Sequence, residues 1–201
     1  MPPTLLRRFE WNVIEMTRVR MTMSDETVSP IVLDASAAIA LIRSEGAERA
    51  ITDQLSRLRV SGGRLLVPDH FWIELTNVFM NRYAASPGEA VQILREVDEL
   101  GVESIRTERA LVLHAIEFQH RDRLSAYDAT YLALAESEDA RLLTLDVKLA
   151  AAAGDRAIRL DGMPPHRLSE AATEYGRDPI DWARFGPYLA QLRAEAIAGA
   201  R

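Results

Sequence analysis

The chain contains no cysteine, no apolar run of membrane-spanning length and no excess of basic residues. The absence of cysteine excludes a disulfide scaffold, a thiolate metal site and a cysteine nucleophile. Charged residues interrupt the N-terminal segment too often for the core of a signal peptide, so we expect a cytoplasmic protein that does not enter a membrane. The formal charge of −6 argues against general, charge-driven binding to nucleic acid, although it does not exclude an enzyme with a few local contacts.

The sequence does contain a regular alternation of short apolar runs and helical patterns. The apolar fraction of 48% and the charged fraction of 27% are those of a globular protein. We expect five strands, at residues 31–33, 65–68, 101–105, 142–145 and 157–160. Helical patterns between them predict a mainly parallel sheet covered by helices on both faces. The predicted fold class is therefore α/β, with three layers in the order helix, sheet, helix.

This alternation leaves both ends of the chain outside the core. We divide the sequence into an N-terminal extension at 1–29, a central domain at 30–161 and a mostly helical C-terminal extension at 162–201. The apolar spacing is that of a short helix in the N-terminal extension, and a disordered leader is the alternative. Aromatic and leucine residues between 182 and 192 have a similar spacing, and we expect this C-terminal helix to fold over the domain. A dimer contact and a partner-binding arm are the alternatives.

Acidic residues stand at two junctions between a predicted strand and a helix. Asp34 follows the first strand, and Asp146 follows the apolar run that ends at Leu145. Each aspartate has the position of a helix N-cap. In a parallel sheet, however, the carboxyl ends of the strands line one crevice, so we also expect these two carboxylates to converge there.

A third acid, Asp128, lies in the first turn of an apolar helix that begins after Ser125. We expect this helix to be buried, with Tyr127 and Tyr131 on its apolar face. Ser125 and Asp128 also match a capping-box pattern, which by itself accounts for an acid at this position.

A fourth acid, Glu74, has apolar neighbours and shares a helix face with Asn77. An ordinary solvated helix face is the competing explanation.

Four motifs built around these acids resemble the acidic motifs of PIN-domain nucleases. They are, in chain order, residues 31–36, 74–77, 125–129 and 143–149. An aspartate after an apolar run is common, but four such motifs in this order make a specific pattern. The pattern is most similar to that of the VapC-type toxins of bacterial toxin-antitoxin modules. The resemblance extends roughly from Ile31 to Leu160 and leaves both extensions unexplained.

The resemblance implies that Asp34, Glu74, Asp128 and Asp146 are catalytic and bind metal directly or through water. Two carboxylates ~4 Å apart repel each other by roughly 4 kcal/mol at an effective dielectric of about 20, so such a cluster needs protons or a cation. Oxygen ligands without cysteine favour Mg²⁺ or Mn²⁺, and the four histidines show no zinc-ligand spacing. A hard cation suits phosphodiester hydrolysis, because it activates water and neutralises the scissile phosphate.

Three polar residues near the acids are predicted to support them. Ser36 and Thr144 each lie two positions from an aspartate, and Asn77 lies three positions from Glu74. Such side chains commonly orient carboxylates or waters around a metal. Ordinary hydrogen bonding at a helix start or within a strand is the alternative.

As a whole, the resemblance implies a metal-dependent endoribonuclease that leaves a 3′-hydroxyl and a 5′-phosphate, and specifically the toxin of a VapBC-type module. It further implies a cognate VapB-like antitoxin and a homodimer. A basic antitoxin segment would suit the acidic crevice electrostatically. Arg43, Arg121, Arg123 and Lys148 are candidate phosphate contacts, with pairing to local acids as the competing explanation.

Three other functions compete with this one. A haloacid-dehalogenase-like phosphatase requires an aspartate two residues after the first, where this chain has Ser36. Dinucleotide binding requires a glycine-rich loop after the first strand, which the sequence lacks. The third is a PIN-like module that binds protein or RNA without significant turnover, and the presence of all four acids argues against it.

Overall fold

The computed structural model describes residues 28–43 and 46–160, together with residues 186, 187, 190–192 and 194. The predicted N-terminal helix and most of the C-terminal extension lie outside the described residues. Within the described ranges, no helix has the length and apolar character that crossing a lipid bilayer requires.

A four-stranded parallel sheet forms the centre of the domain. Its strands are β1 (Ile31–Leu33), β2 (Leu65–Pro68), β3 (Val102–Ile105) and β4 (Arg141–Leu143). They lie in the order β3-β2-β1-β4, and each neighbouring pair is parallel. β1 and β2 are buried along their whole length, as expected for central strands with helices on both faces. The prediction of a parallel sheet is confirmed.

The predicted fifth strand at 157–160 is wrong. In the described part of the chain, the sheet extends beyond β4 only by a single parallel bridge between Ala157 and Leu142. The Ile158 amide donates to the Leu142 carbonyl at 2.8 Å. β4 is only three residues long. It pairs with β1 along all three residues, and the segment after residue 157 does not continue alongside it as a ladder.

Helices connect and cover the strands. Those of α type are α1 (Ala35–Arg43), α2 (Glu48–Val60), α3 (Phe71–Asn77), α4 (Pro87–Asp98), α5 (Arg109–Asp122), α6 (Ala126–Ser137) and α7 (Val147–Ala153). α3 continues as a π-helix at Val78–Arg82, and a 3₁₀ turn at Gly154–Arg156 follows α7. The resulting architecture is a three-layer α/β/α fold, as predicted from the alternating pattern.

Helix α6 is buried on all sides from Ala129 to Ala135. It packs on β1, β2, β4 and α5, and alanines between its larger side chains let these elements approach closely. The prediction of a buried helix is confirmed for this part. Tyr127, expected on the buried face, is instead 59% exposed. The helix ends near the start of β4, so its first turn lies at the carboxyl edge of the sheet. The strands do not extend far enough at this edge to cover Tyr127.

The strand order reverses at β1. The chain leaves β1 toward β2, whereas β4 lies on the other side of β1. At such a switch point, the segments after two neighbouring strands leave in opposite directions and open a crevice. Asp34 and Asp146 follow β1 and β4, so the topology itself brings them to this crevice.

A described part of the C-terminal extension contacts the domain at the opposite edge of the sheet. The described positions from 186 to 194 are helical, and Leu192 is 1% exposed. The Arg59 guanidinium donates to the Leu192 carbonyl at 2.9 Å. Leu192 borders the same cavity as Leu65 and Gly101, near the amino ends of β2 and β3. At these residues, the extension therefore lies away from the crevice that contains Asp34.

Candidate active site

Asp34 is fixed by hydrogen bonds from the segments that follow β1 and β4, the two strands that border the crevice. Its side chain is buried, with the residue 5% exposed. Its Oδ2 accepts hydrogen bonds from the hydroxyls of Ser36 and Thr144, the latter at 2.7 Å. The Ser36 hydroxyl also accepts from the Leu145 amide at 2.9 Å, which ties the segment after β1 to the segment after β4. These contacts leave the Asp34 carboxylate little freedom to turn away.

Asp146 is both a helix cap and a neighbour of Asp34. Its Oδ1 accepts a hydrogen bond from the Leu149 amide at 2.7 Å, so it is the N-cap of α7. Its own amide donates to Thr144 Oγ1 at 3.0 Å. Its charge raises the pKa of Asp34. The capping explanation and the predicted convergence therefore both hold for this residue.

Asp128 combines the same two properties in the first turn of α6. The Asp128 amide donates to Ser125 Oγ at 3.1 Å, and the Ser125 hydroxyl donates to Asp128 Oδ2 at 2.7 Å. Ser125 is therefore the N-cap that the sequence predicts, but the predicted capping box is only half formed, because the Asp128 carboxylate binds the Ser125 hydroxyl instead of the Ser125 amide. The charge of Asp128 also raises the pKa of both Asp34 and Glu74, so Asp128 lies in the same electrostatic cluster.

Glu74 joins the cluster from α3. Its carboxylate accepts a hydrogen bond from the Tyr131 hydroxyl of α6. His70, one turn earlier, places Nε2 3.7 Å from Glu74 Oε2. The Glu74 side chain is 27% exposed, so an ordinary solvated helix face does not describe it. Tyr131 is fully buried, and Glu74 supplies the partner that a buried tyrosine hydroxyl needs.

Burial makes Asp34 unusually hard to ionise. It raises the pKa of Asp34 from the ordinary value of 3.8 to about 6. The hydrogen bonds from Ser36 and Thr144 oppose this rise, whereas the charges of Asp128 and Asp146 add to it. The net effect is a raised pKa, as expected when several carboxylates share a site that is poorly accessible to water.

Glu74 shows the same behaviour for the same reasons. Burial raises its pKa from 4.5 to about 7, and the charges of Asp34 and Asp128 contribute to the rise. The hydrogen bond from Tyr131 acts in the opposite direction. Burial also lowers the pKa of His70, which favours its neutral form beside Glu74.

The donors of this cluster match a hard divalent cation, although the side chains do not form a closed cage. Among the described residues, no three aspartate, glutamate or histidine side chains are grouped so that they could bind one metal ion. Three of the acidic side chains have protein hydrogen-bond partners instead: Ser125 binds Asp128, the α7 backbone binds Asp146 and Tyr131 binds Glu74. Carboxylate oxygens are nonetheless the ligands that Mg²⁺ and Mn²⁺ prefer, and a cation would relieve the repulsion that raises the two pKa values.

The predicted supporting residues differ in their contacts. Ser36 and Thr144 both bind Asp34, as described above. Asn77 is exposed, and its Oδ1 accepts a hydrogen bond from Asn81 Nδ2 at 2.6 Å. The Asn77 amide thus has a partner on its own helix instead of Glu74.

Sequence reasoning assigned no site role to Tyr131 or His70. Tyr131 lies three residues after Asp128, a spacing that places both side chains on one helix face. His70 lies four residues before Glu74, which gives the same relation on α3. The His70 contact therefore had a signal in the sequence, namely a histidine one helical turn from Glu74, whereas the contact of Tyr131 with Glu74 joins two helices and had none.

Local pairing accounts for some of the candidate phosphate contacts. The Arg121 guanidinium lies 2.8 Å from the Asp122 carboxylate. The Lys148 ammonium donates to the Arg123 carbonyl. The Arg121 contact agrees with the competing explanation, which is pairing with a local acid, whereas the Lys148 contact is to a backbone carbonyl and not to an acid.

Fold and site together define an α/β protein with an acidic centre at the switch point of a parallel sheet. The PIN domain family model matches residues 31–155, which include β1 to β4 and all four acids. This match covers more than half of the chain, and the protein therefore belongs to the PIN domain family. PIN domains are generally nucleases that use divalent metal ions. A comparison with curated proteins found no match.

The raised pKa of Asp34 predicts that, without divalent cations, the protein loses stability as the pH rises. Folded Asp34 keeps its proton up to about pH 6, whereas the unfolded residue loses it near 3.8. The folded state binds more protons between these values, so the free energy of unfolding falls as the pH increases through this window. Asp34→Asn removes this ionisation. Relative to wild type, the variant should gain up to ~3 kcal/mol of stability between about pH 4 and about pH 7.5.

Urea unfolding in EDTA across this pH range measures the gain. Asp53→Asn, a matched change at an exposed position of α2, is the control and should parallel the wild type at every pH. A stability difference between Asp34→Asn and wild type that does not change with pH would contradict the assignment of the burial cost to Asp34.

The contact between Tyr131 and Glu74 predicts a second measurable effect. Tyr131→Phe removes the hydroxyl whose hydrogen bond lowers the pKa of Glu74, so this pKa should rise above its wild-type value of about 7. Carbon NMR of labelled glutamate carboxyls in EDTA reports it directly. Tyr83→Phe, at another buried tyrosine, is the control. An unchanged Glu74 titration in Tyr131→Phe would show that the contact does not tune this carboxyl.

Proposed function

We propose that the protein is a Mg²⁺- or Mn²⁺-dependent endoribonuclease, and that it is the toxin of a VapBC-type toxin-antitoxin module. The observation that carries this proposal is the acidic centre, where Asp128 and Asp146 act electrostatically on a buried Asp34 and Glu74 joins from α3. Membership of the PIN domain family supports hydrolysis of nucleic acid. The choice of RNA and the toxin role are supported by the resemblance of the four motifs to those of VapC-type toxins.

The cation would be bound by Asp34, Asp128, Asp146 and Glu74, directly or through water. A bound cation of this kind lowers the pKa of a water molecule, neutralises the scissile phosphate and stabilises charge on the leaving oxygen. A general-base histidine is not required for this chemistry.

The aspartates are suited to this task because, among the residues that the structure describes, side-chain hydrogen bonds engage a single oxygen of each. Among the described contacts, hydrogen bonds reach Oδ2 of Asp34, Oδ2 of Asp128 and Oδ1 of Asp146. The second oxygen of each side chain stays available for a cation or a water. Ser36 and Thr144 orient Asp34 from two sides, so its geometry is set before substrate binds.

The proposal extends to partners and location. We place the protein in the cytoplasm as a homodimer inhibited by a VapB-like antitoxin that binds near the acidic crevice. Support for the partner comes from the motif resemblance and from the formal charge of −6, which suits a basic antitoxin segment. A monomer that binds no basic partner would count against this part of the proposal and leave the nuclease assignment intact.

Cleavage of a pool of labelled single-stranded RNAs tests the enzymatic proposal. The wild type should cut in Mg²⁺ or Mn²⁺ and not in EDTA, and Asp128→Asn should abolish cutting because it removes a charged ligand. Ser36→Ala should cut roughly 10- to 100-fold more slowly, since it loosens the orientation of Asp34.

The matched control is Asp155→Asn, at an exposed acid of the 3₁₀ turn after α7, which should cut like the wild type. Equal cutting by wild type and Asp128→Asn would refute the assigned site. Tight RNA binding by the wild type without any cation-dependent cutting would favour the alternative, a binding module without significant turnover.

A further inference from the structure

A cavity of about 300 Å³ lies beside the acidic centre. It is formed by the start of α3, the start of α6 and one face of α5, with His70, Ile73, Val112 and Tyr127 among its walls. None of the four acids assigned to catalysis lines it. The cavity is therefore a separate space from the crevice at the ends of β1 and β4.

The cavity nevertheless adjoins the catalytic acids closely. His70 forms part of its wall, and the Nε2 atom of the same residue lies 3.7 Å from Glu74 Oε2. The His70 ring centroid is 5.4 Å from that of Tyr127, and Tyr127 directly precedes Asp128 in α6. A ligand in the cavity would therefore contact residues that are direct neighbours of Glu74 and Asp128.

The lining indicates what kind of group fits. Tyr127, Ile73 and Val112 expose 59%, 71% and 43% of their surfaces, so an aromatic ring and two apolar side chains face solvent around the cavity. Among the described residues that line it, none is lysine or arginine, whereas Asp69 is acidic. The cavity thus disfavours a phosphate and favours an uncharged, flat group.

Polar groups are also present for recognition of such a group. The Gln119 side chain belongs to the lining. Thr107, another lining residue, has a buried hydroxyl that makes no hydrogen bond with any residue the structure describes. Because this hydroxyl is closed to solvent, a ligand reaches it only if the Thr107 side chain rotates, so Gln119 is the polar side chain that can bind the edge of such a group directly.

We propose that this cavity binds one nucleobase of a single-stranded RNA, adjacent to the phosphate that is cleaved at the acidic centre. The inference rests on the proposed function and names a subsite for its substrate. Unpaired bases stack on aromatic side chains and are read by hydrogen bonds along their edges. The volume lies at the small end of the ~300–1,000 Å³ typical of ligand pockets, which suits one base. Tyr127 supplies the stacking surface.

Four variants test the subsite by mapping cleavage sites on a randomised single-stranded RNA pool. Tyr127→Ala removes the ring, Val112→Trp fills the cavity, and both should lower kcat/KM roughly tenfold or more and weaken the base preference at one position beside the cut. Tyr127→Phe keeps the ring and should recover most of the loss. Val91→Ala, at an apolar position of α4 that is 49% exposed and outside the cavity, is the control.

A second measurement reads binding without turnover. Asp128→Asn is mixed in EDTA with uncut RNA that carries 2-aminopurine at one position at a time. Stacking on Tyr127 should quench the fluorescence at a single position, and adding Tyr127→Ala to Asp128→Asn should remove that quenching.

The outcomes separate the subsite from the function. If the wild type cuts RNA and both cavity variants keep its rate and base preference, the subsite is refuted while the nuclease stands. The same result is expected if the cavity accepts a side chain of a protein partner. A uniform loss of rate without a change in base preference also refutes base recognition. A wild type that neither binds nor cuts RNA overturns the proposed function together with the subsite.

Discussion

The burial of the Asp34 carboxylate among other acids is the constraint on which the site depends. Burial, with the charges of Asp128 and Asp146 adding to it, raises the pKa of Asp34 to about 6, so the ionised form of this carboxylate costs free energy in the folded protein. The fold keeps the arrangement because the switch point between β1 and β4 sets the backbone, and because Ser36 and Thr144 bind the carboxylate from both sides. Such a site trades stability for function, which is a common feature of active sites.

Local helix chemistry offsets part of this cost. Asp146 caps α7, and Asp128 lies in the first turn of α6 with its amide bound to Ser125. The first turn of a helix favours an anion, so each aspartate stabilises its own helix while it repels its neighbours. Since both helices begin at the carboxyl edge of the sheet, the same residues serve capping and convergence. The two explanations that competed at these positions are therefore complementary.

The sequence predicts the layered parallel fold and the strand-end acids because both depend on local patterns. Buried apolar runs separated by helices define the sheet, and an acid directly after a run must lie at its carboxyl edge. Features that depend on tertiary packing could not be predicted from the sequence in the same way. Among the described residues, the segment 157–160 has the alternating apolar pattern of a strand but forms a single bridge with β4. Tyr127 has the spacing of a buried residue, but it lies in the first turn of α6, beyond the elements that cover the rest of this helix. The hydrogen bond between Tyr131 and Glu74 depends on how α3 packs against α6, which the sequence does not show.

Proton release on cation binding tests the account most directly. Calorimetric titration of the wild type with Mn²⁺ at about pH 6, in buffers of different ionisation enthalpy, measures both affinity and the protons released. Because Asp34 and Glu74 have pKa values of about 6 and about 7, we expect cation binding to be coupled to proton release. We also expect that the double variant Asp34→Asn/Glu74→Gln loses both. Undiminished Mn²⁺ binding by this variant, or wild-type binding without proton release, would contradict a cation centre built on these carboxylates.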